Sequence, residues 1–103
     1  MKTKLDEARE MINEVDEEMI SLFIKRMAAV SMVAEYKAEN NMTVLDSGRE
    51  DVVMNKNISL LASKQLESYY KTFFDGVLKA SKDYQKDLMK IYEAKKKWKN
   101  MHY

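Results

Sequence analysis

From Lys4 to about Glu39 the chain contains neither Pro nor Gly, and its apolar residues recur at three- and four-residue spacing: Leu5, Ala8, Ile12, Val15, Met19, Leu22/Phe23, Val30 and Val33. That period predicts one long amphipathic helix. Thr3 with Asp6 forms a weak capping box at its start, and Asn40 and Asn41 suit its end because Asn tolerates the left-handed conformation. Residues 42–45 read as a short extended connector. Asp46 and Ser47 then offer N-caps, with Ser47 and Glu50 at capping-box spacing. A second helix is predicted over about residues 48–62, carrying Val52, Val53, Leu60 and Leu61 inward. Residues 63–65 make the next turn. A third helix starts near Leu66 and aligns Tyr70, Phe73/Phe74, Val77, Leu78 and Leu88 on one face. The expected fold class is therefore all-α, a three-helix protomer with a very long first helix.

Charges interrupt the first stripe. Arg9, Arg26 and Lys37 lie on or beside the apolar face. Lys37 is eleven residues beyond Arg26, so at roughly 100° per residue it returns to nearly the same side. A cation taken out of water needs a partner or a ligand, because burying it unpaired costs several kcal/mol. On the third helix, Ser81 and Gln85 follow Val77 and Leu78 on the inward side, four apart. Taken singly, each is more often structural: a helical Ser bonds back to its own backbone, and a buried Gln satisfies a neighbouring helix.

Length adds geometry. Some 35 helical residues span roughly 50 Å, whereas a compact domain of this size is only about 30–35 Å across. The helix overhangs its own fold, and a second copy is the simplest cover for the apolar stripe left wet. Arg9 and Arg26 stand roughly 25 Å apart on that helix. If both serve one small ligand, they come from two subunits.

Composition narrows the chemistry. The chain has 103 residues, 46% hydrophobic and 34% charged, enough for a single helical domain over residues 1–103. A net charge of +1 favours neither nucleic acid nor an anionic membrane as partner. There is no Cys, and the single histidine, His102, sits in the tail, so neither thiolate chemistry nor a His/Cys metal site is expected. No apolar run approaches membrane-spanning length and no signal segment opens the chain, so a cytoplasmic protein is expected. Only three of the eighteen basic residues are arginine, and Arg9, Arg26 and Arg49 fall near apolar faces or a helix start. Arginine there suits bidentate carboxylate binding. The lysine-rich run at residues 95–99 reads as a solvated, fraying helix end.

The polar exceptions thus comprise Arg9, Arg26, Lys37, Asp46, Arg49, Glu50, Ser81 and Gln85. In order and spacing the chain resembles the AroQ-type, all-helical chorismate mutases. LDEAREMINEVDEEMISLFIKRMAAVSMVAEYKAEN resembles that family's first helix, with an Arg, a second Arg seventeen residues on, and a Lys eleven after that. VLDSGRE, residues 44–50, matches its V-x-D-x-x-R-E run, and Ser81-x-x-x-Gln85 matches the S-x-x-x-Q of its third helix. The resemblance covers about residues 4–89, leaving 90–103 as a basic tail without counterpart, and the turn before the third helix looks one residue short.

The resemblance implies an intertwined all-α homodimer that rearranges chorismate to prephenate for phenylalanine and tyrosine synthesis, with no cofactor and no metal. It assigns Arg26 and the partner chain's Arg9 to the substrate's carboxylates, and Lys37 and Gln85 to its ether oxygen, with Lys37 also reaching a carboxylate. Glu50 and the backbone near Asp46 would take the ring hydroxyl. Arg49 would brace that end, and Ser81 would bond a carboxylate. Without a recognisable second catalytic domain, a stand-alone mutase is expected. Two rivals remain: isochorismate-pyruvate lyase, which shares the fold and a cationic pocket, and a non-catalytic helical dimer or regulatory module.

Overall fold

The computed structural model describes residues 1–102; Tyr103, the last residue of the tail, lies outside them. Three helices make up the chain: α1 (Lys4–Glu39), α2 (Ser47–Leu61) and α3 (Glu67–His102). Among the described residues there is no strand.

The helix ends follow from local chemistry. Thr3 accepts from the Asp6 amide while Asp6 accepts from the Thr3 amide, a complete capping box for α1. After the α1 C-cap at Asn40, the chain reverses through Asn41 at φ 54°, the left-handed conformation Asn tolerates. Asp46, not Ser47, caps α2, its carboxylate accepting the Arg49 amide at 2.9 Å. Ala62 ends α2 in the left-handed region at φ 50°, where a Cβ carries some strain. The lysine-rich end does not fray: α3 stays helical through residues 95–99 to His102.

α3 is the shared element, since α1 and α2 each pack on it and not on each other. Arg26 meets Ser81 and Asn41 meets Lys96, so α1 and α3 run parallel. Glu50 meets Lys82 and Asn57 meets Tyr70, so α2 returns antiparallel between them in sequence. Small side chains contribute to the buried seam between α1 and α3. Ala34 is 0% exposed, and with Ala38 and Met89 it forms a cluster flanked by Val44, Leu88 and Tyr92.

Little else is buried. Val30, Ala34, Ala38, Phe74 and Met89 are the buried apolar residues among those described, far short of a core for a chain this long. The molecule measures 69 × 31 × 15 Å, with a radius of gyration of 18.7 Å. A compact chain of this length would show about 13 Å. It is barely thicker than one helix, so Leu5, Ile12, Val15, Met19, Leu22 and Phe23 all stand exposed.

Two inward assignments on α2 are corrected. Val52 and Leu60 are 58% and 72% exposed. The face α2 turns to α3 is Glu50, Val53, Met54, Asn57, Ile58 and Leu61, and the helical period puts Val52 and Leu60 outside it. On α3, Phe74 is buried whereas Phe73 is exposed.

Candidate active site

A cleft of about 430 Å³ opens where the second half of α1, the start of α2 and the middle of α3 converge. Seven of the eight predicted residues line it: Arg26, Lys37, Asp46, Arg49, Glu50, Ser81 and Gln85. Their periodicity explains the convergence. Arg26 and Lys37 share one side of α1, Ser81 and Gln85 are one turn apart on α3, and the Asp46 cap directs the first turn of α2 to the rim.

Arg26 is held from two sides. Its Nη1 donates to Ser81 Oγ, and its guanidinium lies 5.5 Å from the centre of the Phe74 ring, within cation–π range. Ser81, only 5% exposed, donates in turn to the Val77 carbonyl at 2.8 Å. That bond is the helical-serine habit, yet it also aims the oxygen lone pairs at Arg26.

Lys37 donates to the Val44 carbonyl at 3.0 Å and to Gln85 Oε1 at 3.3 Å. An ammonium has three donors and no acceptor, so one N–H remains beyond these two. It also fixes the Gln85 amide: because the oxygen faces Lys37, the NH2 is not spent on it and can donate elsewhere. Two half-buried donors thus stand side by side across the α1–α3 seam.

The charges balance in favour of an anion. Arg26, Lys37, Arg49 and Lys82 bring four positive charges to the lining, against two from Asp46 and Glu50. Asp46 is engaged by the α2 cap. Glu50 pairs with Lys82, whose Nζ lies 3.2 Å from Oε1 and 3.5 Å from Oε2. The surplus of two matches a dicarboxylate. Among the described residues no His, Cys, Asp and Glu cluster could hold a metal ion. The shifted titrations lie away from the cleft: on exposed α3, the Lys79 hydrogen bond holds the Asp83 carboxyl below its usual range, and Asp83 raises Lys79.

Arg9 is the member the single chain does not bring in. It is exposed on the first half of α1 and absent from the cleft lining. Sequence reasoning missed Lys82, one lysine among many with no pattern to mark it, and the Val44 carbonyl, a backbone group that no residue type reveals.

The family model described as chorismate mutase type II matches residues 8–86. Curated relatives include two bifunctional chorismate mutase/prephenate dehydratases. That of Buchnera aphidicola subsp. Acyrthosiphon pisum is 34% identical over 85 residues, 82% of this chain and 22% of the relative. That of Buchnera aphidicola subsp. Baizongia pistaciae is 32% identical over 98 residues, 93% of this chain and 26% of the relative. The chain therefore spans about a quarter of the length of the curated relatives it matches. No solved structure matches at a significant level.

Proposed function

We propose that this chain, which belongs to the chorismate mutase type II family, isomerises chorismate to prephenate in phenylalanine and tyrosine biosynthesis. The observation that carries the reading is the gathering of seven polar residues from three helices around one cleft, with Lys37 and Gln85 as adjacent donors.

The chemistry asks for little else. In this intramolecular Claisen shift the ether C–O bond breaks as a C–C bond forms within the same molecule. No proton moves, no nucleophile attacks and no cofactor is consumed. What a protein supplies is a folded substrate conformation and donors aimed at the oxygen where charge develops. Arg26, fixed by Ser81 and Phe74, clamps one carboxylate, with Ser81 beside it. The remaining Lys37 N–H and the Gln85 amide NH2 meet the ether oxygen, and Lys37 also reaches a carboxylate. Glu50 and the backbone at Asp46 take the ring hydroxyl, and Arg49 braces that end.

The site takes its last cation, Arg9, from a second copy, in an intertwined homodimer of single-domain chains spanning residues 1–103. Three observations support this reading. The stripe from Leu5 to Phe23 is uncovered, α1 and α2 share no packing, and Arg9 sits roughly 25 Å along the helix from Arg26. Among the described residues no helix is long and apolar enough to cross a membrane; a cytoplasmic enzyme is part of the same proposal.

The test is to add purified protein to chorismate without metal or cofactor, follow the loss of its ultraviolet absorbance and identify the product. Prephenate is the expected product. Untouched chorismate with pyruvate released from isochorismate would establish the lyase instead, and turnover of neither would leave a non-catalytic helical dimer.

A further inference from the structure

We propose that Lys82 is a positioning residue that sets Glu50, and with it the first turn of α2, against the hydroxyl end of the cleft. The inference rests on the mutase reading and names a part of the site that the sequence pattern did not.

The structural argument begins with α2. None of its residues is buried, and it packs only on α3. Its position is therefore weakly fixed by apolar contact, and cross-helix polar contacts matter more. Two tie it to α3: Asn57 to the Tyr70 hydroxyl at 3.0 Å, far from the cleft, and Lys82 to Glu50, within the cleft lining. The second joins the wall carrying Asp46, Arg49 and Glu50 to the wall carrying Ser81 and Gln85.

The pair is partly sheltered, with side chains 32% and 27% exposed for Lys82 and Glu50. The ammonium approaches both Glu50 oxygens, at 3.2 and 3.5 Å, which fixes the plane of the carboxylate. A carboxylate offers about four lone-pair sites, so Glu50 can hold Lys82 and still accept a substrate hydroxyl. The hydroxyl's own bonds are neither made nor broken in the rearrangement, so this contact is present in the bound substrate and in the transition state alike. Losing it should raise KM and leave kcat alone.

The test is a double-mutant cycle on the full chain with chorismate, using Lys82→Met, Glu50→Gln and both together. Lys82→Met is expected to raise KM by roughly fivefold, the scale of a partly exposed ion pair, with kcat unchanged. Lys82→Arg should restore most of the loss. In the Glu50→Gln background, Lys82→Met should add nothing further, because its effect runs through Glu50. Equal KM effects in both backgrounds, or none in either, overturn the proposal while leaving the mutase reading intact. If wild-type protein binds chorismate without turning it over, the same cycle is read in Kd by calorimetry. If it neither binds nor converts chorismate, the mutase reading fails and this inference falls with it.

Discussion

Replacing Lys37 by Met separates chemistry from architecture at the centre of the cleft. Methionine keeps most of the apolar stem and removes the ammonium. Structurally, the chain loses the bonds to the Val44 carbonyl at 3.0 Å and to Gln85 at 3.3 Å. Hydrogen bonds from a charged donor contribute about 1.5–3 kcal/mol each when shielded from water, but both acceptors here stand at an open cleft where water can replace the donor, which lowers the net loss for the pair. The stability loss should therefore be at most about 2 kcal/mol. Catalytically, the variant loses the remaining N–H aimed at the ether oxygen and releases the Gln85 amide to rotate. Removing one preorganised donor of this sort costs about 100- to 1000-fold in kcat, or roughly 3–4 kcal/mol of barrier. Turnover of chorismate should be measured well below the melting transition, with circular dichroism confirming that the variant is folded. A kcat within about threefold of wild type would refute the donor role assigned from this geometry, and so would an activity loss that merely tracks unfolding.

Two further perturbations address other parts of the account. Gln85→Glu places a carboxylate beside Lys37; ionised, it can only accept, so kcat at neutral pH should fall by roughly 100-fold or more. Activity should then rise as pH drops toward the usual Glu range near 4.3 and the carboxyl regains a proton to donate; Lys37 favours the ionised form, which keeps the recovery on the acid side, and a flat pH profile would contradict the donor assignment. Val15→Glu combined with Met19→Glu puts charges into the uncovered α1 stripe. Sedimentation should show loss of the dimer, because burying an unpaired charge costs several kcal/mol, and an unchanged dimer would move the interface elsewhere.

Much of the fold was legible because helical periodicity is a local signal. The α1 stripe, its capping box and the Asn turn follow from residue types alone; the helical period pairs Arg26 with Lys37 and Ser81 with Gln85, and only the family resemblance implied that the two pairs share one site. What failed was assignment of faces on α2, where Val52 and Leu60 are apolar yet lie off the packed side. The helical period sets them outside the half-buried face of α2, and apolarity alone does not say which side of a helix is covered. Ala34 and Ala38 carry no sequence mark of their place in the buried cluster, since small residues signal a packed seam only when the partner helix is known. Lys82 was invisible for a related reason: its importance lies in Glu50 across the cleft, thirty-two residues away in sequence.

The central claim is that the cleft is completed by Arg9 from a second copy, and subunit mixing tests it most directly. Arg9→Ala and Arg26→Ala proteins should each be nearly inactive alone while remaining folded. Each mixed dimer would pair an intact Arg26 from one chain with an intact Arg9 from the other at one of its two sites. With random exchange at equal concentrations, half the dimers are mixed, so about a quarter of wild-type activity should return. No recovery after subunit exchange has been verified would contradict a shared site, and the catalytic account built on it would have to be abandoned.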